Sequence, residues 1–420
     1  MQESLVEHIL DSVANLRIAL RNLTRNRRRS LTALIIVAVG VISMVLAEGF
    51  IQWIFWAMQE GTIKFQSGHI QVVRPDYFRK GVANPLAYLL PKDSAVVTTL
   101  ETTPGVKLVA PRIKVTGLIS HGETTMAFLA EGIVPAKEIV LSKGGLTIVK
   151  GNNLSGPNAS EVILGRGLAR NLGVGPGDTV ALLATASGGG INAIEAKVAG
   201  VFTSTSQAYD NSSLRLPIAQ AQSLLRVEGA HAWLVLLEET ERTDHFLGQF
   251  RSRFPLDTSS LEFVPWYAHA DFYNKTVALF SQQINVLRLI IGLIIVLSIS
   301  NMLIMNVMER TGEVGTLLAI GLKRKKILQM FATEGVLLGV VGGLAGIAIG
   351  YALAELISSI GIPMPPPPGM EEGYTGEIRV TAGLLISAFL IASITTLLAG
   401  LYPAWKASRQ QIVNALRHNI

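Results

Sequence analysis

The sequence predicts a membrane protein: four transmembrane helices with a large α+β extracytoplasmic domain between the first and second. Three observations predict it. Of 420 residues, 49% are hydrophobic and only 16% charged, with a mean hydropathy of +0.42, which excludes a disordered chain and an ordinary soluble domain. Four stretches stay apolar for the roughly 20 residues that a helix needs to cross a bilayer. The excess positive charge lies outside these stretches and outside the long interval between the first two.

Residues 1–30 come first, with Leu5, Ile9, Val13, Leu16, Leu20 and Leu23 at steps of three and four, one apolar stripe of a helix. Arg17, Arg21, Arg25, Arg27, Arg28 and Arg29 stand there against Glu3, Glu7 and Asp11, a net of +3. This reads either as an amphipathic helix on the cytoplasmic face of the membrane or as a helix packed on protein. The first span is expected at residues 31–58, ending in the aromatic run Phe50-Ile51-Gln52-Trp53-Ile54-Phe55-Trp56. Because apolar character resumes beyond Val45-Leu46-Ala47, the segment reads as an uncleaved anchor rather than a signal peptide.

Residues 59–280 form the inserted domain, and the interval from Glu48 to Gln283 holds 20 basic and 20 acidic residues. Strands are expected near 68–73, 106–110, 179–183, 196–202 and 232–237, and helices near 94–102, 167–172, 217–225 and 241–254, an α+β pattern with a β-rich part at about 115–205. With no cysteine in the chain, the domain must stand on packing alone.

The second span is expected at 281–307, the third at 328–360 and the fourth at 382–402. Between the second and third, residues 308–327 carry Arg310 and Lys323-Arg324-Lys325-Lys326 against Glu309 and Glu313, again +3. After the fourth, residues 403–420 carry Lys406, Arg409 and Arg417 with no acidic counterpart, while the loop 361–381 is acidic through Glu371, Glu372 and Glu377 and contains a stiff proline run. The positive-inside rule then places both termini and residues 308–327 in the cytoplasm, and the large domain outside. The basic balance is thereby explained by topology and anionic membrane lipid, and nucleic acid is not expected as a partner. Gly335, Gly339, Gly342, Gly346 and Gly350 line one face of the third span, either a dimer or sliding seam or simple bundle packing. Glu48, Arg288, Glu334 and Glu355 are the ionisable groups in or near the spans, each expected to reach headgroups or water.

Enzymatic motifs are not found. The sequence contains no G-x-x-x-x-G-K-[ST] loop, no H-E-x-x-H pair and no G-x-S-x-G elbow, so no nucleotide hydrolysis, metal centre or catalytic residue is expected in this chain. Gly165-Arg166-Gly167 lacks the third glycine of a dinucleotide fingerprint and reads as a strand-to-helix turn.

After the second span the chain reads Met308-Glu309-Arg310-Thr311-Gly312-Glu313-Val314-Gly315-Thr316-Leu317-Leu318-Ala319-Ile320-Gly321, then a basic patch and Phe331-Ala332-Thr333-Glu334-Gly335. This resembles the signature of the FtsX-like permeases of ABC transporters, the group that includes MacB and the lipoprotein-releasing proteins LolC and LolE. Tyr402-Pro403-Ala404-Trp405-Lys406-Ala407-Ser408 resembles the closing motif of the family, and Pro104-Gly105-Val106, Gly132-Ile133-Val134-Pro135 and Ile163-Leu164-Gly165-Arg166-Gly167-Leu168-Ala169 resemble its external region. The glycine-rich stretch Ala184–Asn192 stands where LolC carries a hook for its periplasmic carrier; it reads as a flexible loop and points to a LolE-like or self-paired subunit.

The resemblance implies a permease of a bacterial inner membrane, pairing with a second permease chain, the same or paralogous, and resting on a cytoplasmic ABC ATPase dimer. That ATPase would bind ATP and Mg; a periplasmic carrier or adaptor is a further partner it allows. Glu313, Val314, Gly315, Thr316, Leu317, Lys323 and Arg324 are the residues expected to contact the ATPase. A lipophilic cargo, lipoprotein foremost, would reach the protein sideways past Phe50, Trp53, Ile54, Ala57, Val277 and Phe280, which otherwise read as ordinary interfacial residues. MacB-like efflux of peptides or drugs and FtsX-like signalling to an envelope hydrolase are the alternatives.

Overall fold

The structure, a computed structural model, describes residues 21, 25, 27–81, 83–92, 94–141, 146–204, 206–256, 260–365 and 373–409. The expected helix over 1–30 falls almost wholly outside the described residues, as do Pro366–Pro368, Glu371, Glu372 and residues 410–420. The chain divides into two units, one made of residues up to Trp56, Thr276–Met364 and the part from Thr375 on, the other of Ala57–Lys275 with Pro365–Tyr374.

In chain order the principal elements are α1 (Arg27–Thr62), β1 (Ile70–Val73), α2 (Ala95–Glu101), β2 (Val106–His121), β3 (Thr124–Ile133), α3 (Pro135–Leu141), β4 (Leu146–Gly151), β5 (Glu161–Gly165), α4 (Arg166–Leu172), β6 (Thr179–Thr185), β7 (Ile191–Ser204), β8 (Ser213–Pro217), α5 (Ile218–Leu225), β9 (Ala232–Leu237), α6 (Thr243–Arg253), β10 (Glu262–Pro265), α7 (Asp271–Glu309), α8 (Thr311–Ala319), α9 (Arg324–Ile360) and α10 (Ala382–Ser408).

Among the described residues four helices, α1, α7, α9 and α10, are long and apolar enough to cross a membrane. In hydrocarbon a backbone must satisfy its own hydrogen bonds, so an apolar run of this length has only the helix open to it. The helices outrun the expected spans: α1 has 36 residues and α7 has 39. Polar helix formers carry them on, Gln59 and Glu60 in α1, Lys275, Gln282 and Gln283 in α7. Val37, Val41, Met44 and Val45 of α1 form one core with Ile295, Ile299 and Leu303 of α7, Leu338 of α9 and Ala388, Ala392 and Ala399 of α10.

The large domain holds ten strands in the order β10-β1-β9-β2-β3-β8-β5-β7-β4, with β6 joining β2 to β7. The 16-residue β2 serves two sheets. Its first half, to Arg112, pairs with β9, and from Ile113 onward it pairs with β3 and then β6. Around the first half, Ile70, Val109, Trp233, Val235, Phe246, Phe250 and Phe263 form one core. Around the second, the pairings β2–β3, β3–β8, β8–β5, β5–β7, β7–β6 and β6–β2 close six strands on themselves, which removes their free edges. The core of this ring runs from Ile113 to Leu225, so the β-rich part extends past the expected 205. Strand β8 and helix α5 complete it. Ser213-Leu214-Arg215-Leu216-Pro217 does not read as a buried strand because of its arginine, yet all five residues are buried.

Arg215 is accommodated by a charged network at the joint between the two sheets. Glu138 of α3 accepts hydrogen bonds from Arg112 Nη2 at 2.6 Å and Arg215 Nη1 at 2.9 Å, and Glu131 of β3 lies 3.4 and 3.2 Å from the same two guanidiniums. Burial opposes the charge of Arg215, but Glu138 and Glu131 outweigh it and hold the proton more firmly than on an ordinary arginine. Burial likewise opposes the charge of Glu131, and Arg112 and Arg215 overcome it, keeping the carboxyl below its usual range. Tyr209, which donates to Glu131 at 3.4 Å, is pushed up to about 12 by burial and that carboxylate.

Two strand-to-helix and hairpin features need separate mention. Gly165 ends β5 and Gly167 lies in the first turn of α4, as the turn reading expects; a β-carbon at Gly165 would meet the backbone of Asp210 and one at Gly167 the side chain of Asn211. The stretch Ala184–Asn192 is a tight β6–β7 hairpin rather than a flexible loop. Ser187 N donates to the carbonyl of Leu225 at 2.9 Å, Ser187 Oγ to that of Arg226, and Asn192 Nδ2 to those of Ser223 and Leu224. The hairpin thus satisfies the end carbonyls of α5, which immobilises both.

Candidate coupling site

The segment between the second and third apolar helices folds into the nine-residue α8. It stops in a Schellman motif: Gly321 has φ of +99°, Leu322 N donates to Leu317 O at 3.0 Å and Gly321 N to Leu318 O at 3.0 Å. One face is buried. Val314, 1% exposed, packs with Val307, Ile327, Phe331 and Ala404, and Gly315 is buried beside it. These two expected contact residues therefore face their own bundle and correct the sequence reading; apolar side chains at this spacing bury before they bind. Glu313 and Thr316 are exposed and Leu317 half-buried, while Lys323 and Arg324 stand exposed at the start of α9. Ile320 is 80% exposed, although an isoleucine in an apolar stretch reads as core from sequence.

Of the six residues expected to admit cargo, Phe50 and Trp53 are in contact. Phe50 stacks on Trp53, which is buried, at 6.2 Å between ring centroids, and Phe280 meets Phe55 edge-on at 6.3 Å. Ile54, Ala57 and Val277 are half-buried. An open apolar groove of about 350 Å³ lies instead deeper on the same pair of helices, between Ile35, Val39, Gly40 and Ser43 of α1 and Ile291, Ile294 and Ser298 of α7. Ordinary apolar residues line it, so no sequence signal marked it.

The charged residues of the spans also differ from expectation. Glu48 is 4% exposed and pairs with Arg288 of α7, and Glu334 is 1% exposed and interacts with the charge of Arg310. Glu48 is thus buried with an ion-pair partner, since pairing inside the bundle replaces hydration at a shorter reach than snorkelling to the surface. Glu355 alone of the three acids is exposed.

The glycine face of α9 is occupied by the chain's own helices. Gly342, Gly346 and Gly350 lie against Val37, Val41 and Val45 of α1, steps of four meeting steps of four, and Gly335 and Gly339 lie against Thr396 of α10. This is bundle packing. Gly346→Leu, which would drive a side chain into Val41 and the carbonyl of Ala38, is expected to cost about 1–3 kcal/mol, read as a lowered unfolding midpoint in detergent. Gly383→Leu, at an open position, is the control expected to leave the midpoint unchanged.

Residues 30–253 match the MacB-like periplasmic core domain family and residues 285–412 the FtsX-like permease C-terminal family. The macrolide export ATP-binding/permease protein MacB of Rhodospirillum rubrum is 28% identical over 419 residues, covering 96% of this chain and 60% of that protein. The pyoverdine export ATP-binding/permease protein PvdT of Pseudomonas syringae pv. tomato is 36% identical over 143 residues, covering 34% of this chain and 19% of that protein. The chain thus spans about three fifths of the length of the first of these relatives. The crystal structure of the periplasmic region of MacB from Actinobacillus actinomycetemcomitans covers 50% of this chain and 94% of its own, at 13% identity and a TM-score of 0.35.

Proposed function

The chain belongs to the ABC-transporter permeases of the MacB and FtsX-like type, and from that premise we propose that it is a non-catalytic transmembrane subunit that moves amphiphilic cargo at the expense of ATP hydrolysed by a partner ATPase. The observation that carries this reading is α8: a short helix, anchored on one face by Val314 and open on the other, between two long apolar helices. In the proposed mechanism a pair of cytoplasmic ATPases binds ATP and Mg, closes, and pushes on α8 of each of two permease chains. The displacement travels along α7 and α1, and the large domain follows it on the periplasmic side of a bacterial inner membrane. The basic segments flanking the spans support this orientation. No ion path is needed, which agrees with the pairing of Glu48 with Arg288.

With the Glu313 carboxylate engaged by Arg25 of its own chain, the corrected contact surface is Thr316, Leu317, Ile320, Lys323 and Arg324. Ile320→Asp is expected to weaken ATPase association at least about tenfold, roughly 1.4 kcal/mol, because it places a charge on the exposed apolar centre of that surface. Retention of the ATPase during purification from native membranes measures it, and undiminished retention would remove α8 from the contact.

Cargo identity divides the finer readings. The relatives named above are export proteins for a macrolide and for pyoverdine, which favours MacB-like efflux; closeness to the LolC/LolE group finds no support in them. Lipoprotein extraction remains the reading that predicts an acylated cargo, and the groove between α1 and α7 is apolar enough to receive a chain. Native mass spectrometry of the complex from its own membranes decides among them. A bound acylated protein supports extraction, an adaptor with unacylated cargo supports efflux, and an ATP-dependent envelope hydrolase without cargo supports signalling.

A further inference from the structure

Three charged residues surround the elbow where α7 turns into α8, and the two glutamates among them are each held by an arginine at the start of the first helix. Glu309, the last residue of α7, accepts a hydrogen bond from Arg29 Nη1 of α1 at 2.5 Å. Glu313, in the first turn of α8, accepts one from Arg25 Nη2, just ahead of α1, also at 2.5 Å. Arg310, between the two, is buried and interacts with the charge of Glu334, itself buried in α9. The partners of the two glutamates lie 280 and 288 residues away in sequence.

A nine-residue helix does not hold itself. Its buried face amounts chiefly to Val314 and Gly315, which settle which side points inward but leave it able to rock about that line. Charge-assisted hydrogen bonds are directional and remove that freedom. The two glutamate pairs are about half exposed, so they add little to stability, and positioning is what remains for them to do.

We propose that Glu309 and Glu313 are positioning residues that clasp the coupling helix to the first membrane helix, so that a push on α8 moves α1 together with α7. Glu313 then faces its own chain through Arg25 rather than serving as an ATPase contact. The use of the clasp rests on the ABC-permease reading; its existence does not.

Because the chain contains no cysteine, spin labels can be placed at introduced Leu31→Cys and Thr316→Cys, both exposed, in the full-length protein in lipid nanodiscs. Pulsed electron resonance then reads the distance between α1 and α8. Glu313→Arg is expected to broaden the distribution at least twofold, and Arg25→Glu added to it is expected to restore the parent width; Glu309→Arg with Arg29→Glu is the second such pair. An unchanged distribution in both single variants, or broadening that neither swap reverses, would overturn the clasp. Unlabelled variants are purified in parallel and the retained ATPase quantified. Loss of ATPase in Glu313→Arg that Arg25→Glu recovers supports positioning. Loss without recovery, at parent distance, makes Glu313 a direct contact and overturns the proposal. If no ATPase is retained even by the parent while the distances respond as expected, the clasp stands and the ABC reading falls.

Discussion

Glu138→Ala is expected to destabilise the large domain by about 3–5 kcal/mol. The substitution removes the acceptor that Arg112 and Arg215 share at 2.6 and 2.9 Å, and both guanidiniums are buried where water cannot replace it. Glu131 remains beside both cations, at longer range. The comparison that isolates burial is Glu101→Ala, which breaks the exposed Lys137–Glu101 pair, also 2.6 Å, and is expected to cost no more than about 1 kcal/mol. Denaturant unfolding followed by the fluorescence of buried Trp233 measures both. Equal losses would show that the buried network is no more costly to break than a surface pair.

Acidification is expected to have the next largest effect. His69 and His231 are held near 4 against 6.5 in the unfolded chain, foremost by burial. Geometry explains why they stay neutral: the Nδ1 of His69 accepts from Leu237 N at 3.0 Å and that of His231 from Lys114 N at 2.9 Å, so a second proton, on Nδ1 of either ring, would face a backbone N–H. The Nε2 of His69 then donates to Thr240 Oγ1 at 2.9 Å. Both groups have depressed values in the folded state, so between about 6.5 and about 4 the unfolded chain binds more protons. Stability is level above that window, falls as pH falls through it, and levels off below it. From pH 7 to pH 5 each histidine is expected to remove about 2 kcal/mol. Below that, the lowered carboxyl of Glu131 adds a loss of the same sign, which confines the test to pH 5–7. His69→Gln and His231→Gln should each flatten the dependence of unfolding free energy on pH by about half; an unaltered slope in both would mean other groups carry it.

In the membrane unit, structure and sequence agree because hydrocarbon leaves one choice. An apolar stretch of bilayer length must be helical, and the short stretch between two such helices, ended by Gly321, forms the nine-residue α8. The glycine steps at 342, 346 and 350 were equally legible as a close-packing face, but the partner was not: Val37, Val41 and Val45 are three among many valines and leucines able to fit it. Likewise Glu48 and Arg288 were visible as charges in apolar surroundings, while their pairing across 240 residues was not.

The large domain shows the other limit. Strands with continuous apolar runs, such as β9, were readable, but β8 was hidden by Arg215, whose burial makes sense only once Glu138 and Glu131 are brought beside it by α3 and β3. The hairpin at Ala184–Asn192 was flexible by composition and is fixed by carbonyls of α5, a helix whose position depends on closure of the strand ring.

By itself, then, the sequence determined the membrane class, the order of the apolar helices among the described residues and the inserted α+β domain, because each follows from local periodicity and the solvent around it. Tertiary structure alone decided which face of α8 is free, where the groove between α1 and α7 lies, how the barrel closes and which charges are partnered. Those are long-range pairings, chosen by shape and electrostatic fit among residues that locally look alike.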